Sequence, residues 1–339
     1  MKKYGKIIFA TLLLLLMLIL TGFSPLAAEG VRQGLNLSYR ALLPALFPSM
    51  VICSMLGELS DQLPFPPSLT VWIASLLCGF PLGIRTLMQG YERGLFTKEE
   101  VLRLSCCCSN ASPAFLITYI GEGILQNQRD GLRLFLGQLL ISFFIGFFLD
   151  VFHRGSLPKN SEIKLIRLIT ESIAAGALGG LQLTGYVTLF ATAAALLGAL
   201  PFFGYLYPFL ELCGGISALP QGGRLFWAAA AAGFSGISVF LQNCSYLSKE
   251  NFSSLPMLFS KLIYAIFLPL LMLTCSLPLL ILLLFLAFFF TILHKALTKR
   301  KKEGIIRKNH EKGWNYDFFK RDRKNLCLLR ARQADPGDR

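Results

Sequence analysis

The chain has 339 residues, 54% of them hydrophobic and 15% charged, where soluble domains carry about 25% charged residues. Several apolar runs reach the roughly 20 residues that cross a bilayer. Composition therefore excludes an ordinary soluble domain and predicts an all-α, polytopic helical membrane protein. Formal net charge is +14, yet from Lys295 onward there are 15 Lys/Arg and 6 Asp/Glu, a net of 15 − 6 = +9. A basic tail beside a membrane segment predicts a cytoplasmic face that can touch anionic lipid. No binding motif accompanies the charge, so nucleic acid is not an expected partner.

Lys2, Lys3 and Lys6 precede an apolar run from Ile7 to about Ala28. The run is long enough to span, which favours an uncleaved first helix over a signal peptide ending near Leu26-Ala27-Ala28. A second span is expected over Asn36–Gly57, with Pro44 and Pro48 predicting a kink or a partly unwound middle. Pro64, Pro66 and Pro67 punctuate the connection to the next run, Ser68–Gly90.

That run contains Cys78-Gly79-Phe80-Pro81-Leu82-Gly83-Ile84-Arg85. Proline and two glycines interrupt a helix, and the freed backbone groups need partners away from lipid. A broken segment bearing a charge predicts a buried site. The alternative is a kinked helix whose Arg85 reaches the headgroups.

Thr97-Lys98-Glu99-Glu100 predicts a capped amphipathic surface helix. It leads into Cys108-Ser109-Asn110-Ala111-Ser112-Pro113, whose small polar groups suit a helix start or a break facing a cavity. Three adjacent cysteines, Cys106 to Cys108, point about 100° apart on a helix, so they predict packing rather than a metal site. A further span runs from Leu132 to Phe152. The basic loop His153–Arg167 is expected inside, which requires Ser68–Gly90 to enter and leave on one face as a re-entrant hairpin.

The second half opens at Glu171 with an Ala/Gly-rich run in which Gly176, Gly179 and Gly180 permit close helix approach. Pro201–Pro220 is a second candidate for irregular backbone, with Glu211 its lone acid. Trp227–Tyr246 follows, carrying Gly233-Phe234-Ser235-Gly236-Ile237-Ser238 and Gln242. Two last spans, Pro256–Thr274 and Leu277–Leu293, precede the tail. Gly79–Ile84 and Gly233–Ile237 resemble each other with one gap, and each is followed by a Lys-Glu pair (Lys98-Glu99; Lys249-Glu250). Repeated halves with matching breaks point to a site between them. The expected units are 1–33, a first helix; 34–152 and 171–294, two repeats; 153–170, a basic loop; and 295–339, a basic tail.

These strings resemble the gate, or nucleoside-recognition, family of bacterial membrane proteins, in its YlbJ-type sporulation branch. The glycine–aromatic–proline–x–glycine–x–basic string matches Gly79–Arg85, the threonine–lysine–acid surface helix matches Thr97–Leu104, and a Cys-Asn-Asn-x-Ser-Pro-like string matches Cys108–Pro113. In the second half, Gly-Phe-x-Gly-x-Ser-Val-x-x-Gln matches Gly233–Gln242. The resemblance covers about Gly34 to Leu271 in the expected order. It departs at Ser109, where asparagine is common, and at Glu211-Leu212-Cys213-Gly214, where two polar groups are lost.

The resemblance implies two gate-like repeats with broken or re-entrant segments. It implies a multi-pass location in the cell membrane or the membranes around the forespore, and a role in spore cortex formation with sporulation proteins as partners. On this reading the protein is transporter- or channel-like for a small polar or anionic solute. Its expected site comprises Gly79, Phe80, Pro81, Gly83, Arg85, Ser109, Asn110, Ser112, Pro113, Glu211, Gly233, Gly236, Ser238 and Gln242. Arg85 would hold an anionic group or neutralise Glu211. The alternative is a non-transporting structural or assembly protein of the spore membranes. His153, His294 and His310 all fall at expected cytoplasmic edges, away from the breaks, so no catalysis, cofactor or metal is predicted.

Overall fold

The computed structural model describes residues 2–60, 62–63, 65–152, 165–198 and 203–287. The basic loop to residue 164, all three histidines and the basic tail lie outside them. The chain divides into a body, Met1–Leu284, and a second unit, Phe285–Arg339. Every regular element among the described residues is helical. Five helices, all within the body, are long and apolar enough to cross a membrane: Ser24–Leu59, Gln128–Phe148, Leu165–Leu197, Arg224–Lys249 and Leu255–Thr274.

Helix α1 (Lys2–Gly22) ends earlier than its apolar run suggests. The next helix starts at Ser24, not at Asn36, and runs on to Leu59 as α2 (Ser24–Leu37), a π-helical turn (Ser38–Leu42) and α3 (Leu43–Leu59). Glu29, Arg32 and Gln33 look like an exit from the membrane, but they pair along the helix instead, Gln33 donating to Glu29 at 3.1 Å. The expected disturbance at Pro44 is the π turn just before it, where Leu43 N–H reaches back five residues to Ser38. An inserted residue accommodates the proline without ending the helix.

Helix α8 (Leu165–Leu197) lies antiparallel along this long helix. A Cβ on Gly30 would stand 2.5 Å from Thr192 Cα, and one on Gly34 2.5 Å from Thr188 Cα. Further along, Gly180 meets Leu43 and Gly176 meets Val51. Small residues thus let two helices of about 50 Å pack backbone to backbone. Glu171, expected at the head of the second half, lies inside α8 and pairs with Arg167 at 2.7 Å.

The run Ser68–Gly90 is broken. Helix α4 (Pro67–Cys78) stops at Gly79, whose φ is +78°, and α5 (Leu82–Glu92) starts after a cis Phe80–Pro81 bond. The two halves fold back on each other. Cys53 Sγ lies 3.8 Å from both Ala74 O and Thr86 Oγ1. In one unbroken helix those residues would be about 18 Å apart. Each half is also too short to cross about 30 Å of hydrocarbon. The fold-back is the form expected of a re-entrant hairpin.

Helix α6 (Lys98–Ser105) opens on the expected capping box, with Glu100 N–H donating to Thr97 Oγ1 and Thr97 N–H donating to the Glu100 carboxylate at 2.7 Å. Cys106–Ser112 is not helical. A π-helical segment (Ala114–Ile124) then turns into α7 (Gln128–Phe148), the two meeting closely at Gly121 and Gly131. In the second half, α9 (Phe203–Leu210) and α10 (Leu212–Ser217) are separated at Glu211. Trp227–Tyr246 is not one helix: α11 (Arg224–Phe234) and α12 (Gly236–Lys249) are divided at Ser235 and Gly236, with φ of +75° and +71°. Helix α11 runs along α13 (Leu255–Thr274), whereas α12 packs on α5, α8 and α9.

Gly83 fixes how the hairpin seats. A Cβ there would lie 2.0 Å from Cys108 O and 2.4 Å from Ser75 Cβ. Gly83→Ala is therefore expected to destabilise the detergent-solubilised protein by about 3 kcal/mol, the upper range for overpacking. Gly185→Ala, with nothing within 4 Å, should be neutral in the same thermal melt. Equal behaviour of the two variants would contradict the packing.

Candidate functional site

The segment Cys106–Ser112 is buried although it is non-helical. In hydrocarbon its backbone groups must be paired within the protein. Helix α7 supplies the partners. Gln138 receives Ala111 N–H at 3.0 Å and donates to Ala111 O at 2.9 Å. Ser142 donates to Cys107 O at 2.9 Å and accepts the Trp72 indole N–H at 2.8 Å. Asn110 Nδ2 donates to Cys107 O at 2.6 Å and reaches Ser75 and Ser142 at 3.3 Å. The hairpin, the loop and α7 are thereby tied together.

Arg85 is not part of this knot, nor does it neutralise Glu211. Its Nη1 donates to Ala175 O of α8 at 2.6 Å, beside Gly179. It joins the hairpin to the long helix. Glu211, 1% exposed, is the N-cap of α10 and accepts from Cys213 N–H at 2.9 Å and Gly214 N–H at 2.6 Å. These two amide donors are the ordinary partners of an N-cap side chain. Gly236 sits against Leu212 and Pro208, so the Glu211 break and the α11–α12 break are neighbours.

The residue that joins the irregular segments of the two halves is Lys261, on α13. Its ammonium donates to the backbone carbonyl of Ser109 and, at 2.8 Å, to the hydroxyl of Ser235. The first partner belongs to the loop of the first half and the second to the helix break of the second half. Lys261 is 2% exposed and has no ion-pair partner among the described residues. The Tyr264 ring lies alongside, its centroid 5.0 Å from Nζ. From α12, Asn243 Nδ2 donates to Ser109 Oγ at 2.8 Å. Lys261 and Asn243 thus converge on one residue of the loop.

Around this junction several buried polar atoms have no partner among the described residues: Ser238 Oγ, both polar atoms of Gln242, and the carboxamide oxygens of Asn110 and Asn243. Ser238 and Gln242 stand four residues apart, on one stripe of α12. Each unpaired buried group costs about 1–3 kcal/mol, and native interiors carry few of them. Five such atoms fall on the loop and α12.

The expected site residues therefore divide. Ser109 is at the junction; Ser238 and Gln242 stand on α12 between Ser235 and Asn243, and Asn110 follows Ser109 in the chain while its amide nitrogen serves Cys107, Ser75 and Ser142. Gly79 and Gly83 are contact points, Gly79 against Ser112 and Gly83 against Cys108. Phe80 stacks edge-on to Phe115, and Pro81 and Pro113 bound helices. Gly233 lets α11 approach α13, since a Cβ there would fall 2.5 Å from Tyr264 O. Sequence reasoning missed Lys261, Asn243, Gln138 and Ser142. Lys261 had a signal, since it is the one charge inside the span Pro256–Thr274. Gln138 and Ser142 had none beyond being polar in an apolar helix. Cys106 and Cys107 donate their thiols to backbone carbonyls of α6, as packing residues do.

Gln138→Leu would leave both Ala111 backbone groups unpaired in the interior. The expected loss is about 2–4 kcal/mol, read as a lower melting temperature and lower yield in membranes. Gln138→Glu keeps the acceptor for Ala111 N–H and should lose less.

Comparison with protein-family models, curated proteins and solved structures finds no match to this chain.

Proposed function

We propose that this chain is a gate-type, multi-pass membrane protein that binds a small polar or anionic solute between its two interrupted halves and passes it across the membrane. On this reading it acts in the membranes of sporulating cells, during cortex formation, and it is not an enzyme.

The observation that carries the reading is Lys261, a buried cation held on Ser109 of one half and Ser235 of the other. A structural tether would be expected to have its polar neighbours satisfied; here Ser238 and Gln242 are left open. Interrupted segments in corresponding places of two halves are the arrangement that transporters use to line a midplane site. The ordered strings Gly79–Arg85, Cys108–Pro113 and Gly233–Gln242 support the kinship with gate proteins.

The test is uptake by liposomes containing the full chain, over a panel of radiolabelled nucleosides and small anions. Wild type is expected to take up at least one, and Gln242→Leu to lose that uptake while remaining at normal abundance. If no panel member enters or stabilises the protein, and loss of the gene damages spore-membrane assembly through a missing partner, the non-transporting assembly role replaces this one.

A further inference from the structure

The chemistry of the junction narrows the solute. An ammonium has three N–H donors. Two of those on Lys261 are taken by neutral oxygens, Ser109 O and Ser235 Oγ. Neutral acceptors and a ring face do not cancel a full charge, and an uncompensated buried ion is costly. As an ammonium Lys261 therefore lacks a negative partner among the described residues, and an anion is the occupant that would favour its charged form. The junction also holds free hydrogen-bonding capacity of both kinds. Donors remain on the Ser238 hydroxyl and the Gln242 amide, and acceptors remain on Gln242 Oε1, Asn243 Oδ1 and Asn110 Oδ1.

The last two flank Ser109. Asn110 follows it in the chain, and Asn243 holds its hydroxyl while Lys261 holds its carbonyl. Ser238 and Gln242 lie on α12 between Ser235 and Asn243, which both belong to the same cluster. A bare anion would satisfy the lysine and the donors but leave three carbonyl oxygens unpaired. A neutral solute would satisfy the amides but leave the charge.

We infer that the occupant of this junction is a small anion that carries its own hydroxyl or N–H donor, its negative group on Lys261 with Ser238 and Gln242, its donor on the free oxygens of Asn110 and Asn243. This inference rests on the solute-binding reading above and adds the class of solute. Hydroxy acids and protonated phosphate belong to that class. A simple carboxylate lacks the donor, and a hydroxy amide lacks the charge.

Thermal unfolding of the full chain in nanodiscs separates these cases, because a ligand of the native state raises the midpoint as its concentration passes Kd. The probes are sodium lactate, glycolate and inorganic phosphate, with sodium propionate and lactamide as controls. At least one of the first three should stabilise the protein saturably, with propionate binding about tenfold more weakly and lactamide giving no shift. Lys261→Met should weaken that binding about 30-fold or more, the range for losing one partner of a buried charge pair.

Gln242→Leu covers the case in which the lysine variant does not fold. It removes two unpaired buried atoms, so it should raise the melting temperature without ligand while lowering affinity. A purely structural Gln242 would lower that melting temperature, and this outcome overturns the inference. Lactamide stabilising as well as lactate overturns the anion and leaves solute binding standing. No shift with any probe overturns the inference; if the liposomes also take up nothing from the wider panel, the solute reading falls with it.

Discussion

A peptide group in hydrocarbon has no water to turn to, and seven consecutive residues here, Cys106–Ser112, are neither helical nor exposed. Everything near the centre of the body follows from satisfying them. Gln138 and Ser142 reach in from α7, Asn110 folds back on Cys107, and Lys261 comes from α13 to take Ser109. The hairpin then closes over the loop, and only glycine at position 83 allows that, because Cys108 O occupies the place of a side chain. Irregular backbone at membrane depth persists where protein or a polar site surrounds it. In this molecule protein surrounds the loop: the hairpin and α7 hold Cys107, Asn110 and Ala111, and α12 and α13 hold Ser109.

The two breaks have different forms. In the first half the chain turns back on itself, so α4 and α5 share Cys53 as a neighbour. In the second half α11 keeps to α13, while α12 departs toward α5, α8 and α9. The likeness of Gly79–Ile84 to Gly233–Ile237 therefore records a shared need for left-handed backbone, at Gly79 in one and at Ser235 and Gly236 in the other. It does not record a shared shape. Ser235 is the informative departure. A non-glycine residue in that region is uncommon, and this one offers its hydroxyl to the buried lysine.

Charged side chains were the hardest to place from sequence. Arg85, embedded in the most conspicuous string, bonds a helix carbonyl of α8. Glu211 is held by amides of its own turn. Arg133 and Arg224 similarly serve carbonyls, Met272 and Cys275 for the first, Leu219 and Ile124 for the second. Guanidinium groups have five donors and suit several carbonyls at once. Lys261, by contrast, stands in an apolar span with no motif around it, yet it reaches a loop carbonyl in one half and a hydroxyl at the helix break of the other.

Composition and punctuation settled the membrane class, the break at Gly79–Pro81, the Thr97–Glu100 cap and the small-residue contacts of Gly176 and Gly180, because each depends on residues close in the chain or on solvent transfer alone. Helix limits near Asn36 and the division of Trp227–Tyr246 were not legible there: polar pairs such as Glu29 with Arg32 sustain a helix that hydropathy would end, and Ser235 carries no breaker signature. What only the tertiary structure decided was which polar groups meet. Ser109, Ser235, Asn243 and Lys261 are separated by up to 152 residues, and no local rule relates them. They are neighbours because an unpaired amide or ammonium in an apolar interior must find a partner, and that search runs across helices.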